Sequence, residues 1–186
     1  MLPAHPQAAP AGASLRQALC GLQERGTVAP LTGRGSARLR VLAFVLALLV
    51  VVADRVTTTL VEHHLHGVEH VWGPFGLALQ FNSGLAFSLF TGRSTLVTVL
   101  LAVGVVILAV LVARVRTTAQ AVGGGLVLGG GVGNLSERVV SGHHGLVADF
   151  ITLSHWPTFN VADACITIGI VVLVAALLFQ PAAARA

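Results

Sequence analysis

From residue 39 onward the chain is a series of long apolar stretches, broken by short clusters of Arg, His, Gly, Asn and Asp. Four of the stretches, residues 39–61, 96–113, 121–140 and 161–179, approach the roughly 20 residues that a helix needs to cross a bilayer. The pattern predicts an all-α integral membrane protein, with four transmembrane helices in one domain over residues 37–180. In the first stretch the strictly apolar core covers only residues 41–53, which is short enough for a signal-peptide core. No small-x-small cleavage site follows it, and apolar and Thr residues continue beyond Arg55, so an uncleaved span is expected. Residues 71–90 break the rhythm. Gly, Pro, Asn and Ser interrupt them too often for a span, yet they are too apolar for a free loop, so they should form short strands or lie on the membrane. In the third stretch Gly125, Gly129 and Gly133 recur at four-residue spacing, which lets helices approach closely.

Residues 1–36 are rich in Ala, Pro and Gly and read as a disordered tail, with a brief helix possible over Ser14 to Glu24. The run "LRQALC" superficially resembles a lipidation box, but no apolar region precedes it and a cleaved lipoprotein signal is rejected. Arg34, Arg38 and Arg40 stand before the first span, and Arg114 and Arg116 lie between the second and third. By the positive-inside rule both regions are cytoplasmic, as are the N-terminal tail and a short C-terminal tail, residues 181–186. The segments around residues 63–93 and 141–160 then lie outside.

Composition agrees with a bilayer setting: 55% of the 186 residues are hydrophobic and 10% charged, against a charged share of about 25% in soluble domains. The formal charge of +4 is too small and too dispersed to suggest nucleic acid as a partner. Cys20 and Cys165 occupy a polar leader and an apolar span, which argues for free thiols rather than a disulfide.

Ionisable and amide side chains at membrane depth are costly, so each is a functional candidate: Asp54, Arg55, Asn82, Asn134, Glu137, Arg138, Asp149, Asn160 and Asp163. Asp163 admits two readings. Asn160 can cap the fourth helix with Asp163 at its third position, where a carboxylate reaches back to the cap and complements the helix dipole. Asp149, in "LVADFI", has no helix start beside it, and a capping role is hard to assign. Two carboxylates flanking one outer turn could instead converge, share a proton and activate water, as in aspartic peptidases. Spacing alone leaves both readings open.

The motifs "FNSGLAF" (81–87), "GNLSER" (133–138), "VADF" (147–150) and "FNVAD" (159–163) together resemble the ordered motif set of the bacterial lipoprotein signal peptidases, or signal peptidase II. The resemblance covers residues 39–179. It implies an intramembrane aspartic endopeptidase of the cytoplasmic membrane that removes the signal peptide from a prolipoprotein, cutting just before a diacylglyceryl-modified cysteine. Asp149 and Asp163 match the family's catalytic aspartates; Asn82, Gly84, Asn134, Arg138 and Asn160 match its supporting or substrate-binding positions. The family also implies a small extracytoplasmic sheet and amphipathic segment, the prolipoprotein and membrane lipid as partners, a monomer, and no cofactor or metal. Two departures stand out. Glu137 occupies the Asp position of "GNxxDR", and "DRVTT" (54–58) replaces Asp-Gln-x-Thr-Lys, so that Arg55 stands for Gln and Thr58 for Lys. Asp54 and Glu137 read as structural polar residues, and Arg55 as a substitute for the cation missing at Thr58.

Rival readings use the same residues differently. In "EHHLHGVEH" (62–70), His63, His66 and His70 recur at helical spacing beside Glu62 and Glu69, as a metal-handling protein would place them; no H-E-x-x-H pattern is present. A transporter would use the buried acids as an ion relay, near the midplane and with inverted repeats, whereas Asp149 and Asp163 flank an outer turn and no internal repeat is evident. A serine peptidase would need a base for Ser83, and none is apparent.

Overall fold

In a computed structural model of the protein, the described residues are 34–65, 67–83 and 94–179. Their order is helix α1 (Arg34–His64), strands β1 (Val68–Trp72) and β2 (Phe75–Asn82), helices α2 (Ser94–Val112) and α3 (Thr118–Val140), strands β3 (Val147–Leu153) and β4 (Trp156–Phe159), and helix α4 (Val161–Leu178). Four helices stand where four spans were expected. Three of them, over Ser36–His64, Thr95–Val112 and Val161–Leu178, are long and apolar enough to cross a membrane. The fourth, α3, is long enough at 23 residues but less apolar, because glycines and polar groups replace branched side chains. It packs against α1, α2 and α4, so its own sequence does not have to face lipid. Residue 34 already belongs to α1, three residues inside the expected tail; the brief helix expected over residues 14–24 and the position of Gly84 lie outside the described residues.

The bundle follows from which positions carry bulk. On α1, Ala43, Ala47, Val50, Asp54 and Thr58 form one buried stripe, while Val41, Leu48, Leu49, Val52 and Leu60 face outward. Asp54 and Thr58 thus continue a stripe begun by small apolar residues. On α3 the glycines divide among three neighbours. A Cβ at Gly125 would lie 2.6 Å from the Ala43 carbonyl oxygen of α1, and one at Gly129 2.7 Å from that of Ala47. A Cβ at Gly123 would lie 2.7 Å from Leu173 Cγ of α4, and one at Gly124 3.0 Å from Val112 Cγ2 of α2. The four-residue glycine row therefore serves one helix contact, and the glycines beside it serve two more. A capping box at Thr117 and Gln120 starts α3: each side chain accepts a hydrogen bond from the other's backbone N–H.

The four strands form one antiparallel sheet in the order β1-β2-β3-β4. Part of the 71–90 region is therefore strand, as one of its two readings required. The register aligns Trp72 with Phe75, Phe75 with Leu153 and Leu153 with Trp156, so one end of the sheet carries a row of large apolar side chains. Trp72 and Trp156 in that row are exposed, a placement that suits a membrane–water interface. Of the histidine cluster, residue 66 lies outside the described residues; His63 lies in α1, which ends at His64, and residue 70 lies in β1, so these two do not share a helix.

Replacing Gly129 by Val forces bulk against the α1 backbone and is expected to destabilise the protein by about 1–3 kcal/mol. A lowered unfolding temperature in detergent reads this. Gly104→Ala, where nothing lies within 4 Å of the added Cβ, serves as the tolerated control.

Candidate active site

The first half of β3 is enclosed on both faces, because Val147, Ala148, Asp149 and Phe150 are all buried. This removes the usual polar face of a strand and places Asp149 in the interior at 2% exposure. Its carboxylate accepts from Asn82 Nδ2 of β2 at 3.0 Å and from Asn160 Nδ2 at 3.3 Å, one donor at each oxygen.

Asn160 is the N-cap of α4. Its side-chain oxygen accepts the Asp163 backbone N–H at 2.9 Å, which is the cap expected from the sequence. The Asp163 carboxylate reaches back to the Asn160 backbone N–H, and its Oδ1 also accepts from Asn134 Nδ2 of α3 at 2.8 Å. Asn134 in turn accepts from Asn160 Nδ2 at 3.0 Å. A continuous path therefore runs from Asp149 through Asn160 and Asn134 to Asp163. Asn160 is fully buried and uses both amide hydrogens and its carbonyl, so nothing else would satisfy its site as well.

The remaining candidates hold the frame. Asp54 Oδ1 accepts the Ala162 N–H at 2.9 Å, tying the start of α4 to α1. Arg138 Nη1 donates to the Gly145 carbonyl at 2.7 Å and reaches the Ser83 carbonyl at 3.5 Å. Gly145 adopts φ +83°, a left-handed conformation that glycine allows without strain and that turns its carbonyl into the loop after α3. Glu137 Oε1 accepts the Ala148 N–H at 3.0 Å, one residue before Asp149. Arg55 Nη1 lies 4.0 Å from Glu137 Oε2, so the cation does face the acid that departs from the family pattern.

Burial is the first cause of an unusual Asp149 carboxyl, whose pKa is raised from 3.8 to about 7; the nearby Asp163 charge adds to this, and the Asn82 hydrogen bond opposes it. Among the described residues, Glu62, Glu137 and His143 place ligand-type atoms within 4.8 Å of one another, the group best able to surround a cation. Glu62 was considered only with the histidines of residues 62–70, and His143 was absent from the candidate set. They approach Glu137 from segments far apart in the chain.

The fold is similar to those of solved bacterial membrane enzymes. The chain superimposes on one, titled a bacterial membrane enzyme structure by the in meso method at 2.3 Å resolution, with a TM-score of 0.67 at 25% identity, over 73% of this chain and 87% of that one. A second, at 1.9 Å resolution, gives 0.65 at 24% identity and carries the fold alone. Residues 46–179 match the family model described as signal peptidase (SPase) II. A lipoprotein signal peptidase of Rhodococcus jostii (strain RHA1) is 42% identical over 145 residues, covering 73% of this chain and 71% of that protein. One of Francisella tularensis subsp. novicida (strain U112) is 34% identical over 149 residues, covering 73% and 91%. The chain belongs to the signal peptidase II family and is a membrane-embedded peptidase.

Because Asp149 holds its proton to higher pH when folded than when unfolded, the folded state binds more protons between pH 3.8 and about 7. Its contribution to stability is complete below 3.8 and is lost as pH rises through about 7. Unfolding temperatures of wild type and Asp149→Asn, compared across this range, are expected to diverge with pH, the wild type declining more steeply.

Proposed function

We propose that the protein is an aspartic endopeptidase that removes the signal peptide from diacylglyceryl-modified prolipoproteins, with Asp149 and Asp163 as its catalytic residues. The observation that carries this reading is the amide path joining the two carboxylates through Asn160 and Asn134. It holds two acids in one site without neutralising either.

The buried Asp149, raised to about 7, keeps the shared proton in the resting site. Asp163 is the more accessible of the two and acts as base. A water between them loses a proton to Asp163 as its oxygen attacks the carbonyl carbon just before the lipidated cysteine. The Asp149 proton moves to the carbonyl oxygen, giving a neutral tetrahedral adduct. Collapse of the adduct breaks the C–N bond as Asp163 passes its proton to the leaving nitrogen. Asp149 recovers its proton, and the products are the signal peptide acid and the free amine of the lipidated cysteine.

The charged ends support an orientation for this chemistry. The first turns of α1, with exposed Arg38 and Arg40, and the α2–α3 link, with Arg114 and Arg116, lie at one end of the bundle, where Leu39 and Ala43 pack with Val112 and Val115. Asp149 and Asp163 belong to the opposite end, beside the sheet. With the arginines cytoplasmic, the peptidase domain over residues 37–180 has both tails inside and its site near the outer surface. A substrate anchored by acyl chains in the outer leaflet then meets the carboxylates at their own depth. It acts as a monomer in the cytoplasmic membrane of a bacterium, since both aspartates come from one chain.

The test is cleavage of a diacylglyceryl-modified prolipoprotein in detergent by wild type, Asp149→Asn and Asp163→Asn. Wild type should cut before the lipidated cysteine and leave the unmodified precursor intact, and each variant, folded, should lose at least about 100-fold in rate. Normal cutting by either variant, or cutting elsewhere, overturns the assignment.

A further inference from the structure

The proposed chemistry leaves one group of charged side chains unused. Glu137 is fully buried, and its two oxygens meet different partners. Oε1 accepts the Ala148 N–H at 3.0 Å and has His143 Nδ1 at 4.0 Å, while Oε2 has Arg55 Nη1 at 4.0 Å. The other imidazole nitrogen, His143 Nε2, stands 3.7 Å from Glu62 Oε1. One imidazole therefore stands between a carboxylate of α1 and a carboxylate of α3. Its ring also packs on Phe81 of β2, with centroids 4.7 Å apart and planes tilted by 58°.

What those contacts hold matters for the site. In the β2–β3 register Phe81 faces Ala148, whose N–H binds Glu137. The next residue on each strand is a member of the site: Asn82 donates to Asp149 Oδ2. His143 thus touches the strand that carries Asn82 and the acid that grips the strand carrying Asp149.

We propose that His143 is a positioning residue for the signal peptidase reaction, bridging Glu62 and Glu137 so that the Glu137 carboxylate holds the Ala148 amide and fixes Asp149 between Asn82 and Asn160. Geometry supports the bridge, because Glu137 is one methylene longer than the Asp of the family pattern and its buried end is met from both sides. A divalent cation among the same three ligands is disfavoured by Arg55, which already faces Glu137 and would repel it. The inference rests on the assignment of Asp149 as catalytic only for its effect on turnover; the grip on Ala148 stands by itself.

The experiment has a readout for each part. Amide exchange at Ala148, followed by NMR in detergent, needs no substrate, and kcat and KM for a lipidated prolipoprotein report the consequence. His143→Phe keeps the ring on Phe81 and removes both nitrogens. It is expected to speed Ala148 exchange about tenfold and lower kcat by about 10- to 100-fold with KM nearly unchanged. His143→Gln, which keeps a donor for one carboxylate, should recover part of both losses. Combined with Glu137→Gln, His143→Phe should add little to the loss already caused by the single Glu137 change. Unchanged Ala148 exchange in His143→Phe, or fully multiplicative losses in the double variant, overturns the bridge. So does a wild-type activity lost to a chelator and restored by zinc. Normal turnover in Asp149→Asn would instead remove the dyad and leave the exchange result standing.

Discussion

The Asn160 side chain is the interaction on which the site depends. It is fully buried at the start of α4, gives one amide hydrogen to Asp149 and the other to Asn134, and accepts the Asp163 backbone N–H. A buried amide left unsatisfied costs on the order of 1–3 kcal/mol, so these contacts form together or the helix start rearranges. That interdependence fixes a strand, two helices and both carboxylates with one side chain. A hydroxyl at the same position could cap α4 but could not donate in two directions.

The amide path requires α3 to come close, and its glycines allow this. Asn134 follows Gly133, whose Cβ would lie 3.0 Å from Asp54 Oδ2 and 3.3 Å from Ala162 Cβ. A side chain there would push α3 away from the residues flanking Asp163. The low apolarity of α3 is thus the other side of its role, since a helix shielded by three neighbours can exchange lipid-facing bulk for close backbone approach. Asp54 completes the arrangement from α1 by holding the Ala162 N–H, so the start of α4 is fixed from two helices at once.

Much of this was legible in the chain because it is local. The apolar lengths marked the helices to within a few residues, although the first span runs over Arg34–His64 rather than 39–61 because polar turns at both ends extend the same hydrogen-bond ladder. The Asn160 cap was legible from three-residue spacing. The partner of the Asp163 carboxylate was not, since Asn134 lies 29 residues earlier and only tertiary packing joins them. The same holds for His143, which meets Glu62 across the bundle. The helical spacing of residues 63 and 70 misled for the opposite reason: α1 ends at His64 and residue 70 belongs to a strand.

Burial places opposing demands on the two acids that grip β3. Glu137 serves as an anchor, and a fully enclosed carboxylate without cations nearby would cost far more than its bond to Ala148 returns. Arg55 Nη1 stands 4.0 Å from one of its oxygens and His143 Nδ1 4.0 Å from the other. Asp149, one residue along from Ala148, accepts from two neutral amides, and its carboxyl is raised to about 7. Adjacent backbone positions thus meet one acid through a backbone amide and carry another between two side-chain amides.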